Sequence, residues 1–216
     1  MTATLAPTPQ SSGALDGPVP GVETRAVAAT LVCIARYGVG KTTIDDIARE
    51  AGCSRATLYR YFGGKQDLIA AAVRSEVERI TTAARVETGA AANLEDAAVA
   101  ILGTAGTAVA EQPALRFVVT NEWELLLPHL TFSGGDRFLA AAGAAIAPSL
   151  DRFLVPERAA RAGEWIARVG LSLWLSPTAP CSLTDPASLR AYVRSFVRPA
   201  LDPASKPARH STTSLP

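Results

Sequence analysis

The sequence predicts an all-α fold of about nine helices, with an N-terminal three-helix head of helix-turn-helix type linked to a larger C-terminal helical domain. Two observations carry this. Apolar residues recur at three- and four-residue spacing along most of the chain, in segments bounded by Gly, Pro and capping residues. No segment shows the strict alternation of a half-buried strand, no dipeptide marks a hairpin, and no repeat is present. With 216 residues, 48% of them hydrophobic, the chain can bury a real core, which excludes disorder throughout.

Taken in order, residues 1–20 hold four prolines among small polar residues and predict a disordered arm. The head follows over 21–66. Its first helix is expected from Glu23 to Tyr37, with Val27, Leu31, Ile34 and Ala35 on one face and Gly38 at its end. Thr43 begins the second. Its hydroxyl can accept from the free N–H groups of the first turn, and Asp46 three residues on completes a capping-box pattern. Ile44, Ile47 and Ala48 repeat at helical spacing, and Gly52 can take the left-handed conformation that closes the helix. Ser54 then caps a third helix in which Leu58 and Phe62 face inward, leaving Arg55, Ala56, Tyr59 and Arg60 pointing outward. Two short amphipathic helices around a glycine turn are the layout that places a reading helix in the major groove of DNA.

The second domain is expected over 67–202. A long helix from Lys65 to about Arg85 carries Leu68, Ile69, Ala72, Val73, Val77 and Ile80 on its apolar face and connects the head to the rest, so that any signal between them passes along it. Asn93 caps a helix from Leu94 to Glu111 that is apolar on nearly all sides and suits a central position. Pro113 opens the next, running to Leu127 before Pro128. Further helices are expected over Asp136 to Leu154, kinked at Pro148, over Pro156 to Leu175, and from Pro186 to near Leu201. The tail, 203–216, has three prolines and is expected to be disordered.

Charge and cysteine usage narrow the function. The net charge is +1, but Gly21 to Arg85 holds ten Lys or Arg against seven Asp or Glu, so the positive surplus sits with the reading helix. Cys33, Cys53 and Cys181 are odd in number and widely spaced, which fits neither a disulfide framework nor a zinc site and suits a reducing compartment. The N-terminus lacks the basic start and apolar run of a signal peptide, and the longest nearly apolar run, Ala97 to Ala110, is too short for a membrane span. These features predict a cytoplasmic protein without a membrane partner.

Gly40-Lys41-Thr42 resembles the end of a phosphate-binding loop. That loop requires another glycine five residues before Gly40 and a preceding strand; here the position is Ala35, inside a helical pattern. An enzymatic reading finds little else: two histidines, His129 and His210, no nucleophile elbow, and no metal-spaced cluster. Glu122 and Glu124 lie two apart on a predicted helix and diverge. No catalytic residue, metal or cofactor is therefore assigned.

The string TTIDDIAREAGCSRATLYRYFGGKQDLI, from Thr42 to Ile69, resembles nearly position for position the N-terminal domain of the TetR family of bacterial transcriptional regulators, and the likeness extends over Glu23 to Val73. Cys53 departs from the small aliphatic residue usual in the family and is read as an inert thiol. The resemblance implies a homodimeric repressor that binds a palindromic double-stranded operator and is released by a small molecule in the C-terminal ligand-binding and dimerisation domain. Carried over by position, it implies base contacts from Arg55, Ala56 and Tyr59, and phosphate contacts from Thr43, Thr57, Arg60, Tyr61 and Lys65. Side-chain chemistry agrees: Arg can bond guanine bidentately, Ala can touch a thymine methyl, and Lys65 sits at a helix N-terminus that favours an anion. Tyr61 has the alternative of packing with Phe62. The resemblance also implies dimerisation through the last two helices, with Ile166, Val169, Leu173, Trp174, Tyr192, Val193 and Phe196 as apolar candidates.

The effector site is read from residue type alone. Aromatic walls and occasional polar groups suggest Phe117, Asn121, Trp123, Glu124, Phe138 and Trp165 as lining, and the scarcity of charge suggests a hydrophobic or amphipathic effector.

Overall fold

The computed structural model describes residues 21–130, 132–178 and 181–197, omitting the side chains at 129–135 and 197. The expected arm, the tail with His210, the end of the last helix near Leu201 and the His129 side chain lie outside the described residues. Within them the chain forms nine helices of seven residues or more and one four-residue turn. These are α1 (Val22–Lys41), α2 (Ile44–Ala51), α3 (Arg55–Tyr61), α4 (Lys65–Gly89) and α5 (Leu94–Glu111), followed by α6 (Pro113–Asn121), the turn α7 (Leu127–Leu130), α8 (Phe132–Ile146), α9 (Pro156–Leu175) and α10 (Pro186–Tyr192). Extended pairing among the described residues is limited to an isolated bridge between Thr178 and Cys181.

Two apolar cores form. The head core gathers Ala26, Ala29 and Cys33 of α1, Ile47, Ala48 and Ala51 of α2, Leu58 of α3 and Leu68 of α4. The body core centres on α5 (Ala97, Ala98, Ile101, Leu102) and draws in Ala84 of α4, Ile166 and Leu173 of α9, and Leu189 of α10. Helix α4 thus belongs to both cores, and the passage from head to body falls inside it. Its start is held by the Asp67 carboxylate, which accepts from Gly63 N–H at 3.0 Å, and its end by Arg152, which donates to the Gly89 carbonyl at 2.7 Å.

Several expectations are corrected. The buried stripe of α1 is Ala26, Ala29, Thr30, Cys33 and Ile34, whereas Val27, Leu31 and Ala35 are half-buried; the small residues face α2 and α4, which pack on α1. Val73 and Val77 of α4 are 55% and 46% exposed, and the buried face instead includes Glu76, which pairs with Arg79 at 2.8 Å. Helix α4 continues to Gly89, which shortens the linker before α5. Helix α6 stops at Asn121 rather than Leu127, because Glu122 leaves the helix to bond elsewhere. Helix α8 begins at Phe132 and ends at Ile146; Pro148 does not kink it but sits in a tight 3-10 turn, Ala147–Ser149, followed by the buried Leu150.

Helices α8 and α9 pack backbone to backbone. A Cβ on Gly163 would lie 2.7 Å from the Gly143 carbonyl oxygen, and one on Gly143 would lie 2.8 Å from that of Ala160. In an ordinary helix interior Gly→Ala stabilises by about 1 kcal/mol. Here the added methyl has no room, so Gly163→Ala is expected to destabilise by about 1–3 kcal/mol, as overpacking does. Chemical denaturation reads this directly, and a raised midpoint would refute the close approach.

Helix α10 and the π-helical turn after it, Val193–Val197, are tied to α5 by ion pairs, Asp96 with Arg190 and Glu95 with Arg194, the latter at 3.0 Å. Hydrogen bonding from Arg190 holds the Asp96 carboxyl below its ordinary value, against the opposing effect of burial. A depressed folded value adds stability above the unfolded value of about 3.9 and loses it as pH falls through the folded value. Acid titration of stability below about pH 4 should therefore be less steep for Asp96→Asn than for the parent chain, as read from denaturation midpoints.

Candidate functional site

The reading head is assembled from locally encoded caps. Thr43 accepts from Asp46 N–H at 3.2 Å, while the Asp46 carboxylate accepts from Thr43 N–H at 3.1 Å and from its hydroxyl at 2.6 Å, the reciprocal box anticipated from spacing. These bonds, led by the Thr43 hydroxyl, hold the Asp46 carboxyl below its usual range. Gly52 closes α2 in the left-handed conformation at φ 65°. Ser54 then accepts from Thr57 N–H at 3.0 Å and starts α3. Leu58 enters the head core and Phe62 packs against it, which turns the opposite face of α3 to solvent.

On that face Arg55 and Ala56 are exposed and Tyr59 is 50% exposed, so the three residues assigned to base contact share one open surface. Arg55 is not idle: its Nε lies 3.1 Å and its Nη1 3.3 Å from the two carboxylate oxygens of Asp45 on α2. Asp45 escaped the sequence reading, because linear order does not show that the starts of α2 and α3 lie side by side.

The residues assigned to phosphate contact divide. Arg60 is exposed, with its guanidinium carbon 5.3 Å from the Tyr61 ring centre. The Thr43 and Thr57 hydroxyls are engaged in the two caps, Thr57 Oγ1 lying 2.9 Å from Ser54 Oγ. Lys65 Nζ donates to the Gly40 carbonyl at 3.0 Å, bridging α4 to the turn before α2. Tyr61 does not offer its hydroxyl to solvent: the Oη is buried without a hydrogen-bond partner. The hydroxyl thus points inward rather than towards an open phosphate-facing surface.

The turn that resembled a phosphate-binding loop has another use. Gly38 breaks α1 at φ 80°, and the N–H groups of Val39 and Gly40 donate to the two Glu122 carboxylate oxygens at 2.7 and 3.2 Å. Cys53 is half-buried beside the head core, and burial raises the thiol pKa of Cys33.

In the body, an apolar cavity of about 250 Å³ opens between α4, α5, α8 and α9. Val77, Ile80, Ile101, Ala105, Phe138 and Trp174 are among its walls. Of the six residues proposed as lining, only Phe138 takes part. Phe117 packs against Gly38, Asn121 bonds the Phe117 carbonyl on the surface, Trp123 and Glu124 are exposed, and Trp165 packs on the body core. The signal missed was one of small residues: Ala105 and Gly106, Ala142 and Ala145, Ala167 and Gly170 leave the space that large side chains would fill. A wider groove of about 750 Å³ between α4, α5 and α10 is rimmed by Arg79, Glu87, Asp96 and Arg190, and suits an apolar guest poorly.

The residues proposed for dimerisation divide. Ile166, Leu173 and Val193 are consumed by the protomer's own core, and Trp174 walls the cavity. Val169 and Tyr192 are half-buried at the core's edge, and Phe196 is 64% exposed, its ring 5.1 Å from that of Tyr192.

Among the described residues no group of three or more His, Cys, Asp or Glu could hold a metal ion, and no helix is long and apolar enough to cross a membrane. Residues 26–72 match the family model of bacterial regulatory proteins, tetR family. An uncharacterised HTH-type transcriptional regulator of Mycobacterium tuberculosis is 33% identical over 136 residues, covering 62% of this chain and 65% of the relative, just under two thirds of its length. The regulator BetI of Agrobacterium fabrum is 47% identical over 49 residues, 23% of this chain and 24% of BetI. Among solved structures, the TetR family repressor AlkX from a Dietzia strain superposes with a TM-score of 0.62 at 23% identity, covering 88% of this chain and 97% of AlkX. The fatty acid degradation regulator FadR of Bacillus halodurans superposes at 0.59 with 17% identity, covering 85% and 99%. The capped helix-turn-helix head, residues 26–72, thus matches the tetR family of bacterial regulatory proteins, and the all-α body shares the fold of solved regulators of that type.

Proposed function

We propose that the chain is a homodimeric repressor that binds a palindromic double-stranded DNA operator through α3 and leaves it when a small, mostly apolar effector enters the cavity under α4. The observation that supports the DNA-reading part best is the surface formed by Arg55, Ala56 and Tyr59, exposed on one face of a short helix whose other face is anchored by Leu58. Arg55 reaches DNA by exchanging Asp45 for a guanine edge. The carboxylate keeps the guanidinium extended along the reading face until then, and repels phosphates where no base is matched. Phosphate contacts come from Arg60 and Lys65.

The effector class follows from the cavity. Its walls are aliphatic and aromatic, with the Thr81 and Ser149 side chains among the few polar groups, so charge would enter at a desolvation cost. Dimerisation through α9 and α10 would cover Phe196 and Leu175, which are 64% and 48% exposed. It would also set the two reading helices about one DNA turn, roughly 34–36 Å, apart. Without that spacing a palindrome cannot be read by both heads.

Operator fragments selected from the source genome permit the test. Arg55→Ala and Tyr59→Ala should each weaken specific binding, by about 1–3 kcal/mol per lost base contact in fluorescence anisotropy. Lys65→Ala should weaken all sequences alike and make the salt dependence shallower by about one unit of log–log slope per head. Unaltered operator affinity in both reading-face variants would remove α3 from the interface.

Sedimentation should show a dimer at micromolar concentration, converted towards monomer by Phe196→Glu. A parent chain that sediments only as monomer would refute the two-headed reading.

A further inference from the structure

We propose that Glu122 is a positioning residue that couples the body to the reading head by holding the turn immediately before α2. This rests on the reading of the chain as an effector-released DNA binder. The geometry is specific. Helix α6 ends at Asn121, the backbone leaves helical values at Glu122 (φ −133°, ψ 32°), and its carboxylate spans the N–H groups of Val39 and Gly40 at 2.7 and 3.2 Å. Both donors lie beyond the break in α1, so they lack the partners a continuous helix would supply. A charged acceptor on two backbone donors is a strong, directional tie.

The approach is also sterically committed. A Cβ at position 38 would stand 2.5 Å from Glu122 Oε1 and 2.8 Å from the Phe117 ring, so only glycine admits both α6 residues, and φ 80° independently favours it. The same turn is braced from two other sides. Thr42 is buried and donates to the Gly38 carbonyl at 2.6 Å, while Lys65 at the start of α4 donates to the Gly40 carbonyl. Body, head and connecting helix therefore meet within three residues, 38–40, directly ahead of the capping box that sets α2.

The other side of α6 faces a second space. Arg116, Val119 and Thr120 wall a cavity of about 410 Å³ that adjoins the apolar one, the two sharing Gly106, Val109, Trp174 and Leu183. A guest that extends from the apolar cavity into this space presses on α6. Because Glu122 ties the end of α6 to the turn, displacement of α6 becomes displacement of α2 and α3. The sequence points to α4 as the route between body and head; α6 supplies a second one.

The test uses the full-length chain and needs no identified effector. Glu122→Ala should speed hydrogen exchange at Val39 and Gly40 while leaving α5 and α9 protected. Operator affinity should fall by about 5- to 150-fold, the range typical of coupled sites. Glu122→Gln keeps an acceptor of the same shape and should recover part of both effects, which general loss of stability would not. Val119→Phe, filling the second cavity in place of a guest, should lower operator affinity in the parent chain and have little further effect in the Glu122→Ala background. Unchanged exchange at Val39 and Gly40 in Glu122→Ala, unchanged operator affinity despite faster exchange, or additive effects of the two substitutions would each overturn the proposal. If Val119→Phe fails to fold by circular dichroism, alone or in the Glu122→Ala background, the exchange and affinity arms of Glu122→Ala and Glu122→Gln decide. A parent chain that selects no DNA fragment would instead refute the repressor reading, and the tie would then be judged on exchange alone.

Discussion

Helix α4 has to satisfy two cores at once. Its first turns bury Leu68 among α1, α2 and α3, and some four turns later it buries Ala84 against α5. A helix of 25 residues is about 37 Å long, and little of that length is free to slide, because either end would pull apolar surface into water. The head cannot adopt an arbitrary pose on the body. A helix fixed only along its length can still roll about its own axis, and contact between α1 and α6 opposes that roll. Helix α1 is therefore held from two sides, by α4 and by α6, with α2 packed on it and α3 on α2.

Polar groups in this region are matched to one another in the absence of DNA. The N–H groups left over where α1 breaks are satisfied by Glu122, the Gly40 carbonyl by Lys65, and the Arg55 guanidinium by Asp45. The Arg55–Asp45 pair, exposed on both sides, is individually weak, which suits its proposed exchange for a base contact at small net cost. The Gly-Val-Gly-Lys-Thr segment illustrates how similar chemistry serves different ends. Backbone donors grouped after a glycine make a site for an anion, and in this fold the anion is a side chain of the same molecule.

The head was legible because its determinants are local. Thr43 with Asp46, Ser54 with Thr57, and Gly52 act within four residues, so spacing alone located α2 and α3 and the outward face of Arg55, Ala56 and Tyr59. Where a contact depends on elements brought together from afar, spacing failed. Tyr61 lies next to exposed Arg60 yet turns its hydroxyl inward, and Ile166, Leu173 and Val193, apolar and correctly spaced for a partner, are claimed by the protomer's own core. Aromatic residues were the wrong guide to the cavity. In a close-packed interior, space remains where side chains are small, and the alanines and glycines of α5, α8 and α9 mark it.

The amino-acid sequence by itself determined the all-α class, the order of the helices, the caps that start α2, α3 and α5, and the exposed face of α3, since each follows from interactions within a few residues. Only the tertiary structure decided that α6 stops at Asn121 so that Glu122 can reach the turn after Gly38, that Asp45 holds Arg55, and that a cavity opens beneath α4. Those outcomes join residues about ten to more than eighty positions apart, and no local pattern records which distant group will supply the missing hydrogen-bond partner or leave the missing volume.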